Sequence, residues 1–176
     1  MVLTGQKIIL RPATLNDRRK IFEWLTMSDL TSELMGEPKF PEIEIPTWED
    51  FMNDYTPQYF NDTDLSKGRS FIIEANGEEV GQINYNDIDL INNTVELDIW
   101  LSDRSRTRKG FGTDAINTLC SFLQHTLKCN TFILAPSARN KNAIRAYEKC
   151  GFRQTGTVPD NFIPDYHDTV VMIKKI

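Results

Sequence analysis

The stretch from Thr94 to Leu134 constrains the fold of this chain more than any other part of its sequence. Polar and apolar residues alternate over Thr94–Leu101, which predicts a strand. Apolar residues then recur every three or four positions over Gly110–Leu127, which predicts an amphipathic helix, and Asn130–Leu134 is a short apolar run typical of a second strand. A strand, a helix and a strand in this order form a right-handed crossover, so we expect the two strands to be parallel.

The residues before this crossover predict an antiparallel meander. Ser70–Ala75 and Val80–Asn86 have the period of strands, and Asn76-Gly77 between them is a typical hairpin turn. A second turn at Asn92-Asn93 leads into Thr94–Leu101. Because the meander and the crossover share that strand, we expect an α/β (α+β) fold with one central mixed sheet flanked by helices.

Weaker patterns complete the expected order of elements. Thr14 and Asp17 have the spacing of a helix cap, and Thr47 has the character of an N-cap before another apolar run. The remaining predictions are a first strand over Lys7–Leu10, a short helix over Thr47–Tyr55, a helix over Asn140–Lys149, and a final hairpin of Phe152–Val158 with Thr169–Ile176.

The composition is that of one folded domain over residues 1–176. Hydrophobic residues make up 40% of the chain and charged residues 26%, which is ordinary for a globular protein. No apolar run approaches the roughly 20 residues that a membrane span requires, and the first residues lack the pattern of a signal peptide. We therefore expect a cytoplasmic protein without a membrane partner.

Charge and cysteine content exclude further classes. The net charge of −5 argues against a nucleic-acid partner, because neutralising phosphates requires a surplus of basic residues, and it suits a small cationic partner better. Cys120, Cys129 and Cys150 have neither disulfide nor metal-ligand spacing, so we expect reduced thiols and no metal site, with Cys120 and Cys150 in the core. His125 is expected on a helix surface, and the chain is expected to be a monomer or a homodimer.

The run from Arg104 to Thr113 lies between a predicted strand and a predicted long helix. Gly110 and Gly112 allow a ligand to approach the backbone closely, and a helix N-terminus offers free N–H groups beside basic side chains. A pyrophosphate would fit such a loop. The alternative is a glycine-containing loop with a solvated basic face.

The helix beginning at Asn140 carries a second group of candidate residues. Ala143 and Tyr147 follow Asn140 at spacings of three and seven, so the three residues share nearly one helical face. That face presents a small polar group, a small residue that permits close approach, and a phenol. The alternative is an amphipathic helix with an Asn N-cap and a tyrosine in the core.

Together the two segments resemble the GNAT superfamily of acyl-CoA-dependent N-acetyltransferases. Its phosphate loop reads Arg/Gln-x-x-Gly-x-Gly/Ala, and Thr107–Gly112 matches except at Thr107, so Arg106 or Arg108 would replace the missing side chain. The family's later Asn-x-x-Ala-x-x-x-Tyr-x-x-x-Gly-Phe motif is matched in full by Asn140, Ala143, Tyr147, Gly151 and Phe152.

This resemblance implies a fold, a cofactor and roles for single residues. The strands Thr94–Leu101 and Asn130–Leu134 would splay apart and hold the pantetheine arm of acetyl-CoA between them. Tyr147 would protonate the departing thiolate, and a backbone N–H of the first strand would polarise the thioester carbonyl. The implied cofactor-binding residues are Trp100, Leu101, Arg106, Thr107, Arg108, Lys109, Gly110, Phe111, Gly112, Thr113, Asn140, Ala143 and Tyr147.

Alternation along the strand before the loop places candidate bases beside the acetyl group. Glu96, Asp98 and Trp100 share one face of Thr94–Leu101, and the apolar residues occupy the other. An amine must be neutral when it attacks, so Asp98 or Glu96 would accept its proton directly or through water. The alternative is a solvated sheet face with ordinary acids.

Two branches of the superfamily look similar to this chain. Aminoglycoside 6′-N-acetyltransferases, which confer antibiotic resistance, resemble it in the spacing of Asp98 from the phosphate loop and in Pro136-Ser137, although Ala135 stands where they often have Asp. Ribosomal-protein N-terminal acetyltransferases resemble it in the strand around Trp100 and in the closing residues from Tyr166 to Met172. A third hypothesis is a non-catalytic acyl-CoA-binding module, against which the presence of both Asp98 and Tyr147 argues.

The segment from Glu37 to Asp64 favours a polycationic acceptor such as an amino sugar or a polyamine. It is rich in acidic residues with six interleaved aromatics, and carboxylates beside aromatic faces suit ammonium groups. We expect the acceptor to contact Glu96, Asp98, Trp100, Trp48 and Tyr55, with Asp160, Asp165 and Asp168 adding to the same wall.

Overall fold

The computed structural model describes residues 1–35, 45–157 and 162–176. Within them the helices are α1 (Arg18–Thr26), α2 (Thr31–Met35), α3 (Trp48–Asp54), α4 (Phe111–Leu127) and α5 (Lys141–Lys149). The strands are β1 (Leu3–Thr4), β2 (Ile9–Pro12), β3 (Arg69–Ala75), β4 (Glu78–Asp89), β5 (Thr94–Leu101), β6 (Thr131–Leu134), β7 (Arg153–Gln154) and β8 (Met172–Lys175).

The described strands form one mixed sheet in the order β1-β2-β3-β4-β5-β6-β8-β7. β5 and β6 are parallel, as the crossover through α4 predicts, and the other pairings given for the described strands are antiparallel. The predicted mixed sheet flanked by helices is therefore confirmed.

Local sequence signals explain most element ends. The turn between β3 and β4 has positive φ at both Asn76 and Gly77, the conformation that an Asn-Gly hairpin favours. Thr47 caps α3, since its Oγ1 accepts a hydrogen bond from Asp50 N at 3.2 Å. Asp17 Oδ2 accepts from Thr14 N at 2.8 Å, in the 3₁₀ turn that leads into α1.

Both ends of the sheet differ from the prediction. The first predicted strand is shifted to β2 and is preceded by the two-residue β1. The final hairpin is much shorter than predicted, and β8 lies between β6 and β7, pairing with both. Thr169 forms only an isolated bridge with Ser137, because the loop before β8 is anchored by Asp168 O, which accepts from Ala138 N at 2.9 Å. Val158 lies outside the described residues.

Two apolar clusters cover opposite faces of the sheet. β3 contributes Ile73 to one and Ile72 to the other, since successive side chains of a strand point to opposite faces. α4 covers the first face with Ile116 and its apolar neighbours, whereas α1 and α3 cover the second face around Trp100. β5 also contributes to both clusters, with Val95 and Leu97 in the first and Trp100 in the second, so one side of this strand is apolar and the other is polar and aromatic.

Cys120, Cys129 and Cys150 are free and buried, which confirms the prediction that Cys120 and Cys150 lie in the core. His125 is exposed on α4, also as predicted. Among the described helices, none combines the length and the apolar character that crossing a membrane requires. In the same part of the chain, no group of three or more His, Cys, Asp or Glu residues is arranged to hold a metal ion.

Candidate functional site

A V-shaped opening lies between β5 and β6. The two parallel strands pair only at Thr94, Val95 and Glu96, opposite Thr131, Phe132 and Ile133. β5 continues to Leu101, and its edge beyond Glu96 has no partner in β6. Backbone donors and acceptors on that edge are therefore free of pairing with β6, which is the geometry predicted for binding an extended ligand.

The loop after β5 is built to receive an anion at the start of α4. Gly110 adopts a left-handed conformation with φ 83° as the N-cap of α4, so its backbone turns without the strain that a side chain would add. Asp114, in the first turn, accepts hydrogen bonds from Lys7 N at 2.6 Å and Ile8 N at 3.1 Å, which ties the loop to the start of β2. The first residues of the helix, Phe111, Gly112 and Thr113, line the cavity described next, and N–H groups in the first turn of a helix lack partners within the helix.

A cavity of about 1400 Å³ opens beside this loop and α5. We call it the basic cavity, because seven of its described lining residues are basic and two are acidic. A Cβ added to Gly112 would meet only Ile99 Cδ1, at 3.7 Å, so the space over that residue is open toward the cavity. The basic lining residues are Lys7, Arg104, Arg106, Arg108, Lys109, Arg145 and Lys149.

Asn140, Ala143 and Tyr147 all line the basic cavity. The Oδ1 atom of Asn140 accepts a hydrogen bond from Ala143 N at 3.1 Å and caps α5, so the Nδ2 group is the part available to a ligand. Tyr147 is only 9% exposed, and burial raises the pKa of its hydroxyl well above the ordinary value for tyrosine. Its phenol therefore keeps its proton at neutral pH.

A second cavity, of about 610 Å³, lies on the polar face of β5. We call it the acidic cavity, because five carboxylates line it and none of its described lining residues is Lys, Arg or His. Aromatic rings form the rest of its wall, and Phe51 stacks on Tyr55 with ring centroids 4.4 Å apart. The carboxylates belong to Asp54, Asp87, Glu96, Asp98 and Asp165.

The two predicted bases have raised pKa values in this cavity. Desolvation and the neighbouring Asp98 raise the pKa of Glu96 to about 8. Desolvation and Asp165 raise the pKa of Asp98 to about 6, although hydrogen bonds from Asn84 and Asn86 oppose the shift. At neutral pH Asp98 is thus mostly ionised and Glu96 mostly protonated when no cation is bound.

The two cavities meet at the end of β5. Their shared wall contains Ile99, Trp100 and Tyr147, together with Leu34 and Asn140. A ligand extending along β5 in the basic cavity would therefore present its end to a ligand held by the carboxylates.

Comparison with known proteins identifies this arrangement. The profile of the acetyltransferase (GNAT) domain matches residues 7–153, which is most of the chain. The chain belongs to the GNAT acetyltransferase family.

Relatives of this acetyltransferase include proteins that act on different acceptors. Aminoglycoside N(6′)-acetyltransferase type 1 of Klebsiella pneumoniae is 27% identical over 165 residues, covering 88% of this chain and 78% of the relative. A solved structure of AAC(6′)-Ib with ribostamycin and coenzyme A is 25% identical, with a TM-score of 0.74 over 97% of this chain and 94% of that chain. RimL, a ribosomal L7/L12 α-N-protein acetyltransferase solved with coenzyme A, has the same TM-score of 0.74 at 15% identity, covering 100% and 98% of the two chains.

These comparisons confirm the predicted family, enzyme class and fold. The prediction of acetyl-CoA as donor agrees with the coenzyme A bound in the two solved structures. Because the two neighbours are equally similar in fold, the fold does not distinguish an amino sugar from a peptide as acceptor.

All thirteen residues predicted to bind acetyl-CoA line the basic cavity of this acetyltransferase. They are Trp100, Leu101, Arg106, Thr107, Arg108, Lys109, Gly110, Phe111, Gly112, Thr113, Asn140, Ala143 and Tyr147. The Phe111 ring is buried in the core, so only its backbone is available to a ligand. Of the two candidates to replace the side chain missing at Thr107, Arg106 forms ion pairs with Glu78 and Asp103, whereas Arg108 is exposed.

Two residues predicted to contact the acceptor lie elsewhere. Trp48 lines neither cavity, because its ring packs against Phe22 at 5.3 Å and under the Arg19 guanidinium at 4.9 Å. Asp168 forms an ion pair with Arg139 at 2.9 Å and accepts from Ser137 Oγ, so it anchors a loop instead of lining the acidic cavity. Tyr55, Trp100, Glu96, Asp98 and Asp165 do line it.

Asp160 and the first acids of the Glu37–Asp64 segment, namely Glu37, Glu42 and Glu44, lie outside the described residues.

Sequence reasoning missed two polar residues of the acidic cavity. Asn84 and Asn86 alternate along β4 and donate to Asp98 from its neighbouring strand. Their spacing of two was a signal that they share one face of β4, but which residues of β5 they oppose depends on the strand register.

Proposed function

We propose that this acetyltransferase transfers the acetyl group of acetyl-CoA to a primary amine of a small polycation, with an aminoglycoside-like amino sugar as the favoured acceptor. The observation that carries the proposal is the junction of the basic and acidic cavities at Trp100 and Tyr147. One cavity suits a ligand with phosphates, and the other suits a ligand with several ammonium groups.

The basic cavity fits coenzyme A in three respects. The N-terminus of α4 and the left-handed Gly110 form a cradle for pyrophosphate, and basic residues surround it. The unpaired edge of β5 toward Leu101 offers backbone groups to an amide-containing arm. Asn140 and Ala143 lie on the opposite wall. When bound there, acetyl-CoA supplies an activated acetyl group as a thioester.

The acidic cavity fits an acceptor with more than one positive charge. Five carboxylates line a cavity of about 610 Å³. Burial, and after it the repulsion between neighbouring carboxylates, raises the pKa values of Glu96 and Asp98, so a bound cation would relieve an unfavourable concentration of negative charge. A peptide N-terminus brings one ammonium group, whereas an amino sugar or polyamine brings several. Aromatic walls such as Tyr55 add favourable contact with sugar rings and ammonium groups.

Within this proposal, each candidate residue has a distinct chemical role. Asp98 accepts a proton from the ammonium group, because its pKa of about 6 leaves it ionised at neutral pH but able to be protonated. Glu96 assists in attracting the cation and is the competing base on the same strand face. Tyr147, which retains its proton, donates it to the leaving sulfur. A backbone N–H on the free edge of β5 stabilises negative charge on the carbonyl oxygen.

An acceptor panel with acetyl-CoA tests the proposal. Thiol release would be measured with an aminoglycoside, spermidine, and an Ala- or Ser-initiated peptide, at low and high salt. We expect turnover with the polycations that falls as salt rises, because screening weakens attraction to the acidic cavity. An amino sugar with a hydroxyl in place of the reactive amine is the matched control. Peptide turnover alone would replace the proposed acceptor with a protein N-terminus, and no turnover with any amine would favour a binding module.

A further inference from the structure

Neutral amide side chains line β4 opposite the acids of β5. The register pairs Gln82 with Trp100, Asn84 with Asp98, and Asn86 with Glu96. These side chains share the face that forms the acidic cavity, and Asn84 and Asn86 line it. The carboxylates are therefore bordered by hydrogen-bond donors that carry no charge.

Both asparagines donate to the same oxygen atom of Asp98. Asn86 Nδ2 lies 2.7 Å from Asp98 Oδ2, and Asn84 Nδ2 lies 3.1 Å from it. Asn86 reaches diagonally, since its direct cross-strand partner is Glu96. Among the described residues, none donates to Asp98 Oδ1. One carboxylate oxygen is held by the protein, and the other is left for a ligand.

The orientation of Asn84 is itself fixed by two donors. Tyr55 Oη donates to Asn84 Oδ1 over 3.3 Å, and Gln82 Nε2 donates to the same oxygen over 3.2 Å. Because the ionised carboxylate of Asp98 can only accept, the amide of Asn84 presents its Nδ2 to Asp98 and its Oδ1 to Tyr55 and Gln82. Burial raises the pKa of Tyr55 well above its ordinary value, so its hydroxyl remains a donor.

We propose that Asn84 and Asn86 are positioning residues that hold Asp98 ionised, with Oδ1 directed at the acceptor amine. This inference rests on the proposed function, in which Asp98 is the base. In the step itself an N–H bond of the acceptor ammonium breaks and an O–H bond forms at Oδ1. The electron pair stays on the nitrogen, which becomes the nucleophile.

Neutral donors suit this role better than a basic residue would. An arginine on Asp98 would hold the pKa of its carboxyl far below neutrality and make it a weak base. Two amides stabilise the ionised form only partly, so burial still leaves the pKa at about 6. The titratable groups that interact with Asp98 from the surrounding elements are Tyr55, Tyr59, Asp87, Glu96, Tyr147, Asp165 and Tyr166.

The pH dependence of kcat/KM for an amino sugar tests the inference. Asn86→Ala removes a donor to the ionised carboxylate, so the acidic limb of the profile should move to higher pH by about one to two units, given the 1.5–3 kcal/mol typical of a hydrogen bond to a charged group. Asn86→Asp should move it further, because a second negative charge then faces Asp98. Tyr55→Phe, which removes one donor that orients Asn84, should give a smaller shift in the same direction.

A matched control lies at the tip of the same hairpin. Asn92 Nδ2 donates to Asp89 Oδ2 over 2.6 Å, and neither residue lines the acidic cavity. Asn92→Ala therefore removes the same kind of bond and should leave the acidic limb in place. Should Asn86→Ala fail to fold, Asn86→Ser and Tyr55→Phe carry the same test, supported by NMR titration of the Asp98 carboxyl without substrate.

The results separate this inference from the proposed function. If Asp98→Asn leaves the rate and the acidic limb unchanged, Asp98 is not the base and the proposed chemistry is wrong. If Asp98→Asn abolishes the acidic limb but Asn86→Ala and Tyr55→Phe leave it where it was, Asp98 is the base and the positioning role is wrong. An upward shift in the Asn86 variants, with none in Asn92→Ala, supports the inference.

Discussion

The hydroxyl of Tyr166 donates a hydrogen bond to the carbonyl oxygen of Leu34 over 2.7 Å, joining residues that are 132 positions apart. Leu34 lies in α2 and lines both cavities, and Tyr166 lies in the loop before β8 and lines the acidic cavity. The bond therefore closes one side of the acidic cavity near its junction with the basic cavity. It links the loop that carries Asp165 to α2, which also borders the basic cavity.

Tyr166→Phe should weaken acceptor binding. The ring is kept, but the loop loses its bond to α2, so we expect KM for the acceptor to rise roughly two- to tenfold, as the 0.5–1.5 kcal/mol of one net hydrogen bond implies. Steady-state kinetics at saturating acetyl-CoA would measure this. Tyr85→Phe is the matched control. The Tyr85 hydroxyl donates to the Leu65 carbonyl oxygen over 2.9 Å, and neither residue lines the acidic or the basic cavity. An equal rise in KM in the control would show a general effect of lost stability.

Gly112→Val should abolish the binding of acetyl-CoA without unfolding the protein. Only Ile99 Cδ1 lies near the position of an added Cβ, so the larger side chain would point into the basic cavity. Acetyl-CoA at 100 times its Kd should stabilise the wild type by about 2.7 kcal/mol, which is about 5–10 °C in a chain of this size. The variant should melt normally and show almost no such shift. Gly156→Val, where nothing lies within 4 Å of an added Cβ, should keep the full shift.

The sequence predicted the elements whose signals are local. β5 begins and ends at the predicted residues, and the Thr47 cap and the Asn76-Gly77 turn form as expected. Each of these depends on a few neighbouring residues. The motif residues of the loop and of α5 line one cavity. For Asn140, Ala143 and Tyr147 the spacing along the helix already places them on nearly one face.

The features that the sequence did not predict depend on tertiary packing. Tyr55 enters the acidic cavity and Trp48 does not, because α3 turns the latter toward Phe22, and no local signal chooses between these two aromatics. The cross-strand partner of Asn86 could not be predicted from the sequence, because the β4–β5 register shifts by one residue between Asn86 and Asp89. Counting back from the turn would place Asn86 opposite Leu97, on the wrong face.

The ligand-free protein should lose stability as pH rises, partly because of Glu96. Folding raises the pKa of Glu96 from 4.5 to about 8, so the folded state favours the protonated side chain. The stability that this protonation contributes is fully present below pH 4.5 and is lost as pH rises through 8. Glu96→Gln, which cannot ionise, should therefore become more stable relative to the wild type with increasing pH. Between pH 5 and pH 9 this raised pKa corresponds to about 4 kcal/mol, at 1.36 kcal/mol per pH unit. We expect the gap in Tm to widen by roughly 8–15 °C over that range, at about 2–4 °C per kcal/mol. A constant gap in thermal melts would contradict the raised pKa.

Tyr147→Phe should lower kcat and leave the affinity for acetyl-CoA nearly unchanged. The tyrosine is 9% exposed and packs beside Phe152, with ring centroids 6.4 Å apart, so phenylalanine preserves the wall that the two cavities share. What is lost is the proton for the leaving sulfur, and general acid catalysis contributes about 10²–10⁴-fold.

Tyr59→Phe is the matched control for Tyr147→Phe. Tyr59 also lines the acidic cavity, and burial, followed by Asp87, raises its pKa to about 12, but it does not line the basic cavity. Removing its hydroxyl should change kcat little. Single-turnover rates and acetyl-CoA melting shifts for both variants would separate chemistry from binding. A normal single-turnover rate in Tyr147→Phe would mean that water protonates the sulfur, since no other described phenol lines both cavities.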